Sequence, residues 1–412
     1  MLKKLYPRVH RRYSSLPVLG PVLDGFVRFL VDRGYPQAPT RCHVRATRHV
    51  DARLQERGYS SIDGLTRSDL RSCAPPPGRS QDEPSVAAAV RLLEMHFDER
   101  GVFPPPDPPG PKAVLLADYV DYLEQVRGLA TSTVSHHVST VSELIAHLGL
   151  DDTPCFADLS ALDIEGFVCV VGQRVSRATL QHVVAQLRSF LRYLTTRGEA
   201  PVGLDTQIDT PRVYRGEKLP RSLPWETVQA LLEAVDRTTP LGLRDYAMLA
   251  LIATYGLRAS EVVGLELEHV EWRARRLLVP QRKTTSPLLL PLTDAIGDSL
   301  TEYLRRGRPP GPYRAIFVRH RAPAGTLEPT AVGDVFQAWS RRSGLTIPFQ
   351  GPHCLRHSYA VHLLRQGVSL KSIGDVLGHR NAESTCVYLR LAVEDLRTVP
   401  LDLPMAKLAV RS

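Results

Sequence analysis

Four short segments in the last part of this 412-residue chain contain residue types that bind or attack a phosphate ester. They are Tyr255-Gly-Leu-Arg258-Ala-Ser-Glu261, a basic stretch around Lys283, His353-Cys-Leu-Arg356-His357, and Leu377-Gly-His379 with Tyr388 nine residues further on. Guanidinium groups bind phosphate oxygens in pairs, and a tyrosine hydroxyl can form a phosphotyrosyl ester. Together, in this order, the segments predict phosphoryl transfer at a phosphodiester.

Two arginines in these segments have the chemistry needed to stabilise a phosphodiester under attack. Its non-bridging oxygens gain negative charge, which guanidinium groups bind with fixed bidentate geometry. We therefore assign Arg258 and Arg356 as a clamp on the phosphate. His353 lies three residues before Arg356, so on a helix both side chains face one ligand, where His353 can bind the phosphate or accept the tyrosine proton. His379 follows a glycine that ends a helix and can donate a further hydrogen bond to the phosphate.

The remaining groups in these segments are suited to attack and to proton transfer. Tyr388 is predicted to be the nucleophile. Lys283, on a predicted β-hairpin, is predicted to be the general acid for the departing 5′ oxygen, and the neighbouring Arg282 could assist it or be mistaken for it. Glu261 is given an orienting role, and His357 is interpreted as a structural neighbour.

The predicted chemistry needs no added energy source. A tyrosyl ester keeps the energy of the broken bond, so rejoining the strand requires neither ATP nor a metal ion. The sequence has no G-x-x-x-x-G-K-[ST] loop for a nucleotide and no clustered carboxylates for a catalytic metal. We therefore predict that the protein uses no cofactor and no metal.

The four segments resemble the tyrosine recombinase, or phage integrase, family. Its pattern is an arginine in a T-G-L-R-x-x-E-x-x-x-L block, a lysine on a β-hairpin, H-x-L-R-H, L-G-H and a nucleophilic tyrosine shortly afterwards. The resemblance covers residues 219–390 with all six positions filled, and residues 112–205 resemble the family's helical core-DNA-binding (SAM-like) domain. Two positions depart from the pattern. Tyr255 replaces the usual threonine, and Pro280-Gln-Arg-Lys283 replaces the usual Gly-Lys-Gly turn.

This resemblance implies a site-specific DNA recombinase or integrase. It implies cleavage and rejoining of double-stranded DNA at a specific recombination site through a 3′-phosphotyrosyl intermediate. The protein would act as a homotetramer on synapsed DNA and be a monomer or dimer when free. Two alternatives come from other classes: a type IB topoisomerase, which relaxes supercoils as a monomer, and a non-catalytic DNA-binding protein on the same fold. The L-G-H and H-x-L-R-H spellings favour the recombinase, and the long N-terminal segment favours a mobile-element enzyme that acts in transposition.

Proline-rich stretches divide the chain into the segments that must position these residues. They lie at residues 75–77, 104–111 and 201–224, where helices and central strands cannot continue. The predicted domains are a helical N-terminal module (1–110), a core-DNA-binding domain (112–205), a basic linker (206–222), a catalytic domain (223–400) and a C-terminal tail (401–412). The linker residues predicted to follow the DNA backbone are Arg212, Arg215, Lys218 and Arg221.

The third segment mixes helical and strand patterns. Leu243 to Tyr255 is apolar almost all round, as in a buried helix, and Gly256 can end that helix in a left-handed conformation. Apolar runs at 276–279 and 288–292 predict a β-hairpin, and 316–318 a further short strand. The prediction is a mainly α fold with a small β-sheet (α+β), in which helical DNA-binding domains precede the catalytic domain.

The first two segments share a weak internal repeat. The motifs Phe26-Val-Arg-Phe-Leu, Gly34 and Leu65-Thr-Arg-Ser-Asp69 recur as Tyr119-Val-Asp-Tyr-Leu, Gly128 and Leu159-Ser-Ala-Leu-Asp163. The interval from the glycine to the aspartate is 35 residues in both copies. Each copy is predicted to be a small helical bundle whose helices are capped by Thr40, Thr66, Thr133 and Ser160. We interpret the repeat as a duplication of one module.

The composition excludes several classes of protein. Hydrophobic residues make up 43% and charged residues 23%, which excludes a disordered or collagen-like chain. No apolar run approaches the roughly 18–20 residues of a membrane span. A net charge of +9, with +8 in residues 1–60 alone, favours an anionic partner such as DNA. The six cysteines form no C-x-x-C pair and no signal peptide is evident, which predicts a cytoplasmic location with no membrane contact.

Overall fold

The computed structural model describes residues 1–75, 83–104, 108–152, 154–213, 220–281, 287–379, 381 and 383–391. The chain divides into two compact units, one made of Met1–Pro104 with Lys218–Ser412 and the other of Pro105–Glu217. The described residues are mostly helical, and their one β-sheet has three strands. The prediction of a mainly α fold with a small sheet is confirmed. No described helix is both long and apolar enough to cross a membrane.

The first segment of the chain folds around a hydrophobic core of its own. Its helices are α1 (Leu2–Leu5), α2 (His10–Ser14), α3 (Leu23–Asp32), α4 (Gln37–Glu56), α5 (Arg67–Ser72) and α6 (Glu83–Glu99). Phe26, Leu30 and Phe97 are fully buried in this core. Thr66 caps α5 because its hydroxyl oxygen accepts a hydrogen bond from the backbone N–H of Asp69, 3.1 Å away.

The second unit is a helical bundle with a separate core. Its helices are α7 (Pro111–Asp121), α8 (Thr131–His147), α9 (Ala161–Gly172), α10 (Arg177–Thr196) and α11 (Leu204–Gln207), with a π turn at Tyr122–Val126 after α7. Tyr119 and Phe190 are fully buried in its core. Ser160 and Asp163 form a reciprocal cap on α9, in which Asp163 Oδ2 accepts the Ser160 N–H at 3.0 Å.

These two helical segments share structural features at four pairs of positions from the predicted repeat. Two pairs are fully buried, Phe26 with Tyr119 and Leu30 with Leu123. Gly34 and Gly128 are both left-handed, and Thr66 and Ser160 both cap a helix with a hydroxyl group. The offset is 93 residues at Tyr119 and at Leu123, which lies inside the π turn, and 94 residues at Gly128 and Ser160. A π turn closes its hydrogen bond over one residue more than an α turn, so it absorbs this inserted residue.

Two of the four predicted caps are wrong. Helix α4 begins directly after Pro36, so Thr40 lies inside its first turn and donates its hydroxyl to the Pro36 carbonyl at 2.9 Å. Helix α8 begins after Ala130, and Thr133 lies inside it. A hydroxyl can bond a carbonyl of the preceding turn within a helix, so residue type alone does not place a helix start.

The third segment contains the sheet and the remaining helices. Its helices are α12 (Trp225–Glu233), α13 (Pro240–Tyr255), α14 (Ala259–Val263), α15 (Asp294–Glu302), α16 (Pro329–Arg342), α17 (His353–Arg365), α18 (Leu370–Leu377) and α19 (Glu383–Cys386), with a 3₁₀ turn at Val387–Leu391. Its strands are β1 (Val270–Glu271), β2 (Arg276–Val279) and β3 (Leu288–Pro291), all antiparallel in the order β1-β2-β3.

The predicted hairpin is confirmed, but the predicted strand at 316–318 is wrong. Strands β2 and β3 pair with Val279 opposite Leu288. Next to the run 316–318 there is a single bridge between Glu266 and Ala315, and Val318 makes another with Thr326. Residues 316–318 are buried in the core of this segment, so their apolar character serves packing rather than a strand ladder.

Helix α13 is the buried helix that leads into the site, as its apolar pattern predicts. It ends at Gly256, whose φ of 65° lies in the left-handed region that favours glycine. A Cβ at this position would overlap the side chain of Leu377 and lie 3.1 Å from Tyr359 Cδ1. Glycine is therefore required here by both the backbone and the packing.

We predict that Gly256→Ala lowers the free energy of unfolding by about 2–4 kcal/mol, from left-handed strain and overpacking together. Urea unfolding of the full chain would measure this loss. The matched control is Gly367→Ala, because Gly367 also has a positive φ but a Cβ at this glycine would have no atom within 4 Å. Equal losses in the two variants would contradict the packing argument.

Candidate active site

The first candidate arginine is held at the start of a helix by a buried carboxylate. Arg258 is the N-cap residue of α14, and Glu261 Oε2 accepts its backbone N–H at 2.8 Å. Glu261 Oε1 accepts a second bond from Arg258 Nη1 at 2.6 Å. The carboxylate is 7% exposed and the arginine side chain 36% exposed. Glu261 thus fixes both the backbone and the side chain of Arg258, and leaves part of the guanidinium open to a ligand.

The second candidate arginine is almost completely buried. Arg356 lies on α17, one turn after His353, and is 2% exposed. Its Nη1 donates to the Gly256 carbonyl, and its Nη2 donates to the Leu377 carbonyl at 2.7 Å. Burial, and next the nearby Arg258, lower the pKa of Arg356 to about 10, so it stays charged at neutral pH.

The histidine of the Leu-Gly-His segment lies directly beside the candidate nucleophile. Helix α18 ends at Gly378 in a left-handed conformation, and His379 follows it. The His379 ring stacks on the Tyr388 ring with a centroid distance of 6.3 Å and an interplanar angle of 14°. Its Nδ1 lies 2.8 Å from the hydroxyl oxygen of Thr385. Burial, then Arg356 and Arg258, lower the pKa of His379 to about 4.

The candidate nucleophile is a buried side chain on a short element. Tyr388 lies in the 3₁₀ turn after α19 and is 2% exposed, packed with Ile373 and Leu377. Burial raises its pKa, and the positive charges of Arg356 and Arg258 oppose that rise. The two arginines therefore favour the tyrosinate within an otherwise unfavourable setting.

His357 makes the contact to the candidate nucleophile that the sequence interpretation missed. Its Nδ1 lies 3.1 Å from the Tyr388 hydroxyl oxygen, within hydrogen-bond distance. Its ring also packs edge-on against His353 at 4.4 Å between centroids. Burial, then nearby His353 and Arg356, lower its pKa to about 4. The signal was present in the sequence, because His357 lies four residues after His353 and so shares its helix face.

His353 lies near the two arginines. Burial and the charges of Arg356 and Arg258 lower the pKa of His353. The hydroxyl of Tyr388 is hydrogen-bonded by His357, and the described contacts give His353 no bond to it. Of the two roles predicted for His353, the geometry therefore favours contact with the phosphate.

Several predicted site residues lie outside the described part of the chain. They are Arg282 and Lys283 on the hairpin, and Arg215 and Lys218 in the linker. The hairpin residue before them, Gln281, is described, and a Cβ built on Gly378 would overlap its side chain amide. The base of the hairpin therefore lies against the turn that carries His379.

The two described linker arginines lie in different units. Arg221 is exposed, and its charge contributes to lowering the pKa of His357, so it lies near α17. Arg212 is exposed in the second unit. Among the described residues, no group of three or more His, Cys, Asp or Glu is arranged to hold a metal ion.

Comparisons with known proteins identify two regions of the chain. The pattern described as "Phage integrase family" matches residues 221–395, and that of "Phage integrase, N-terminal SAM-like domain" matches residues 116–198. A relative from Sinorhizobium fredii, named an integrase/recombinase, is 32% identical over 95% of this chain and 96% of its own length. Tyrosine recombinase XerD of Lacticaseibacillus casei is 31% identical over 69% of this chain and 96% of its own.

Solved structures show the same fold. XerH site-specific recombinase bound to its palindromic difH substrate has a TM-score of 0.56 at 17% identity, over 72% of this chain and 98% of its own. A lambda integrase dimer bound to a COC′ core site has a TM-score of 0.53 at 18% identity, over 67% of this chain and 94% of its own.

We predict that the protein loses stability as the pH falls from 6.5 towards 4. His357 and His379 stay neutral in the folded state until about pH 4, whereas in the unfolded chain they bind protons below 6.5. The unfolded state therefore binds more protons in this window, so unfolding becomes easier as the pH falls. Urea midpoints at a series of pH values measure the effect.

The contribution of one histidine is isolated by substitution. His357→Gln should reduce the slope of stability against pH in this window. His182→Gln, at an exposed histidine of α10, is the control and should leave the slope unchanged. Identical slopes for wild type and His357→Gln would contradict the buried, neutral state of His357.

Proposed function

The chain belongs to the phage integrase family of tyrosine recombinases, and on that premise we propose which of its residues cleave and rejoin DNA. The observation that carries the proposal is the surrounding of the Tyr388 hydroxyl. The Tyr388 hydroxyl is within hydrogen-bond distance of His357, and the Tyr388 ring stacks on His379. The charges of Arg356 and Arg258 favour the ionised form of Tyr388. This is the environment expected for a nucleophile that attacks a phosphodiester.

The proposed reaction is a transfer of the DNA 3′ phosphate to tyrosine. The Tyr388 oxygen bonds to phosphorus while the bond from phosphorus to the 5′ oxygen breaks, which leaves a 3′-phosphotyrosyl ester. His357 Nδ1 accepts the tyrosine proton, since a pKa of about 4 keeps this ring neutral at physiological pH. Arg258, Arg356, His353 and His379 stabilise the charge on the phosphate oxygens. The reverse steps rejoin the strand without an external energy source or a metal.

Lys283 is the proposed donor of the proton to the departing 5′ oxygen. The support is the position of the hairpin base, because Gln281 packs against Gly378, next to His379. Only one residue separates Gln281 from Lys283 in the sequence, and on this basis Lys283 is proposed to act at the same phosphate. Arg282 is the other cation of this hairpin tip and is proposed to contact the DNA backbone.

Double-stranded DNA carrying a recombination site is the proposed partner. Exchange of strands between two duplexes breaks four strands. Because each active site supplies one nucleophile, Tyr388, the proposed active form is a homotetramer. The protein free of DNA is proposed to be a monomer or dimer. The linker arginines Arg212, Arg215 and Arg221, with Lys218, are proposed to follow the phosphate backbone. The relatives reported above are named as recombinases, and this favours a recombinase over the topoisomerase alternative.

The domain boundaries predicted from the proline-rich stretches are retained as part of the proposal. Separate hydrophobic cores support them, one within residues 2–103, one within 115–208 and the largest within 223–355. A fourth, smaller cluster between Ala360 and Tyr388 packs around the candidate nucleophile and belongs to the proposed catalytic domain, 223–400. The tail, 401–412, lies outside the described residues.

We predict that Tyr388→Phe abolishes covalent attachment to a nicked suicide substrate while changing DNA affinity less than twofold. Only the hydroxyl is lost, and the phenyl ring can keep its packing. Denaturing gels measure the adduct, and fluorescence anisotropy measures binding. The control is Tyr359→Phe, at a tyrosine of α17 that packs against the same small cluster and is not assigned a role. An adduct formed by Tyr388→Phe would remove this tyrosine from its proposed role.

We predict that Lys283→Ala cleaves ordinary DNA at least a hundredfold more slowly, as expected for loss of a general acid. A substrate with a 5′-bridging sulfur should restore its rate, because a thiolate leaves without a proton. Adduct formation on both substrates, followed in time, tests the prediction. If sulfur restores Arg282→Ala instead, then Arg282 is the acid.

His357→Gln gives the opposite signature and serves as the matched comparison. The His357→Gln variant is defective in accepting the tyrosine proton, which is a different proton transfer from the one that sulfur makes unnecessary. The sulfur substrate should therefore not restore its cleavage rate. Full restoration of His357→Gln by sulfur would contradict its proposed role.

A further inference from the structure

The first helical segment shares several features with the module that the family comparison recognises. The SAM-like pattern matches residues 116–198, which lie in the second copy of the repeat, whereas the first copy lies ahead of it. Matched buried aromatics, left-handed glycines and capping residues support the interpretation that residues 1–104 contain a related helical framework. Helix α4 of the first copy is the counterpart of α8 of the second.

The outer face of α4 carries a line of arginines. Arg41, Arg45 and Arg48 are spaced i, i+4 and i+7, which places them on one face of the helix. Arg41 and Arg45 are exposed and Arg48 is half-buried. With the offset of 94 residues, the counterparts on α8 are Ser135, Ser139 and Ser142. The second copy therefore has small hydroxyl side chains where the first copy has three positive charges.

Arg41, Arg45 and Arg48 have no acidic partner among the described residues, and the same holds for other exposed arginines of the segment such as Arg28 and Arg91. Three neighbouring arginines form ion pairs with carboxylates of α6: Arg33 with Glu99, Arg67 with Asp98, and Arg71 with Glu94. By contrast, the described contacts of Arg41 are to the Leu5 carbonyl and to the face of the Tyr6 ring. Exposed cations are ordinarily solvated, so the feature that suits an external anion is the alignment of these three charges on one helix face rather than their lack of a carboxylate.

The N-terminal helices pack beside α4 and carry further exposed arginines. The α1–α2 segment is joined to α4 by the hydrogen bond from the Tyr6 hydroxyl to the Arg41 carbonyl, at 2.8 Å. The charges of Arg41 and Arg45 both act on Tyr6, which confirms that these groups lie together. The next residues along the chain include exposed Arg8, Arg11 and Arg12. A surface with repeated guanidinium groups and few carboxylates matches the regular phosphates of a duplex.

We infer that residues 1–104 form a second DNA-binding module, which contacts the phosphate backbone of duplex DNA through the outer face of α4. The inference rests on the proposed function, since it assigns a second contact to the same DNA partner. Because arginine contacts to phosphate carry no sequence information, this module contributes affinity and steering rather than recognition of the site.

The test measures how DNA affinity depends on salt. The full chain, with Arg45→Gln and Arg48→Gln together, is compared with wild type for binding a labelled duplex of arbitrary sequence over a range of NaCl concentrations. Arg41 is left in place because it holds the α1–α2 segment. The control, Arg28→Gln with Arg91→Gln, removes the same charge from exposed positions on α3 and α6. Glutamine retains helix propensity, and urea midpoints verify folding of each variant.

In the α4 variant, the slope of log binding constant against log NaCl concentration is expected to become less steep by about 1.8, since each lost phosphate contact removes about 0.9. The control should change the slope by less than half of this. An unchanged slope, or an equal fall in both variants, would overturn the inference. Covalent attachment to a suicide substrate at saturating protein is measured in parallel. If the α4 variant still attaches covalently and its slope is unchanged from wild type, only the second DNA-binding module is refuted. If wild type itself fails to attach covalently, the proposed function is refuted.

Discussion

The site depends on the binding of one buried arginine between the ends of two helices. Arg356 is 2% exposed, and its guanidinium donates to the carbonyls of Gly256 and Leu377. These carbonyls lie at the C-terminal ends of α13 and α18, where unpaired carbonyls and the helix dipole favour a positive charge. The desolvation of the guanidinium is thereby offset, and three distant parts of the chain are held at one point.

The two left-handed glycines make this arrangement sterically possible. Gly256 and Gly378 end α13 and α18 with φ near 65° and 62°. The backbone turns away at each glycine, while the carbonyls of Gly256 and Leu377 stay directed at Arg356. The same turns direct the residues that come after each helix. Arg258 comes two residues after Gly256, and His379 comes directly after Gly378. The helix ends that bind the buried arginine therefore also position Arg258 and His379, the two neighbouring side chains proposed to bind the phosphate.

The buried site favours neutral histidines. Burial first, with a further contribution from the charge of Arg356, lowers the pKa of His353, His357 and His379, so all three rings favour the neutral form. Arg356 opposes the effect of burial on Tyr388, whose hydroxyl becomes easier to ionise than burial alone would allow. A neutral histidine at a tyrosine with two nearby guanidiniums is ready to accept a proton as negative charge moves to the phosphate.

Most of this site could be predicted from the sequence because its residues occupy local motifs, whereas the misses depended on tertiary context. The spacing of His353 and Arg356 and the glycine before His379 specify local geometry, and the apolar pattern of α13 specifies its burial. No local pattern distinguishes the buried run 316–318 from a strand, since core packing uses the same residues. The contact of His357 with Tyr388 joins positions 31 residues apart, so only the fold decides which histidine reaches the hydroxyl.

The burial of Tyr388 has a consequence for the order of events on DNA. A hydroxyl on a residue that is 2% exposed cannot meet a phosphodiester until its segment moves. That segment is a five-residue 3₁₀ turn joined to the four-residue helix α19, elements with few internal hydrogen bonds. Short elements of this kind shift at lower cost than a long packed helix such as α17. The proposed nucleophile therefore lies on a shorter element than Arg356, the arginine proposed to bind the phosphate, so the segment of Tyr388 is the part of the proposed site that can move at lower cost.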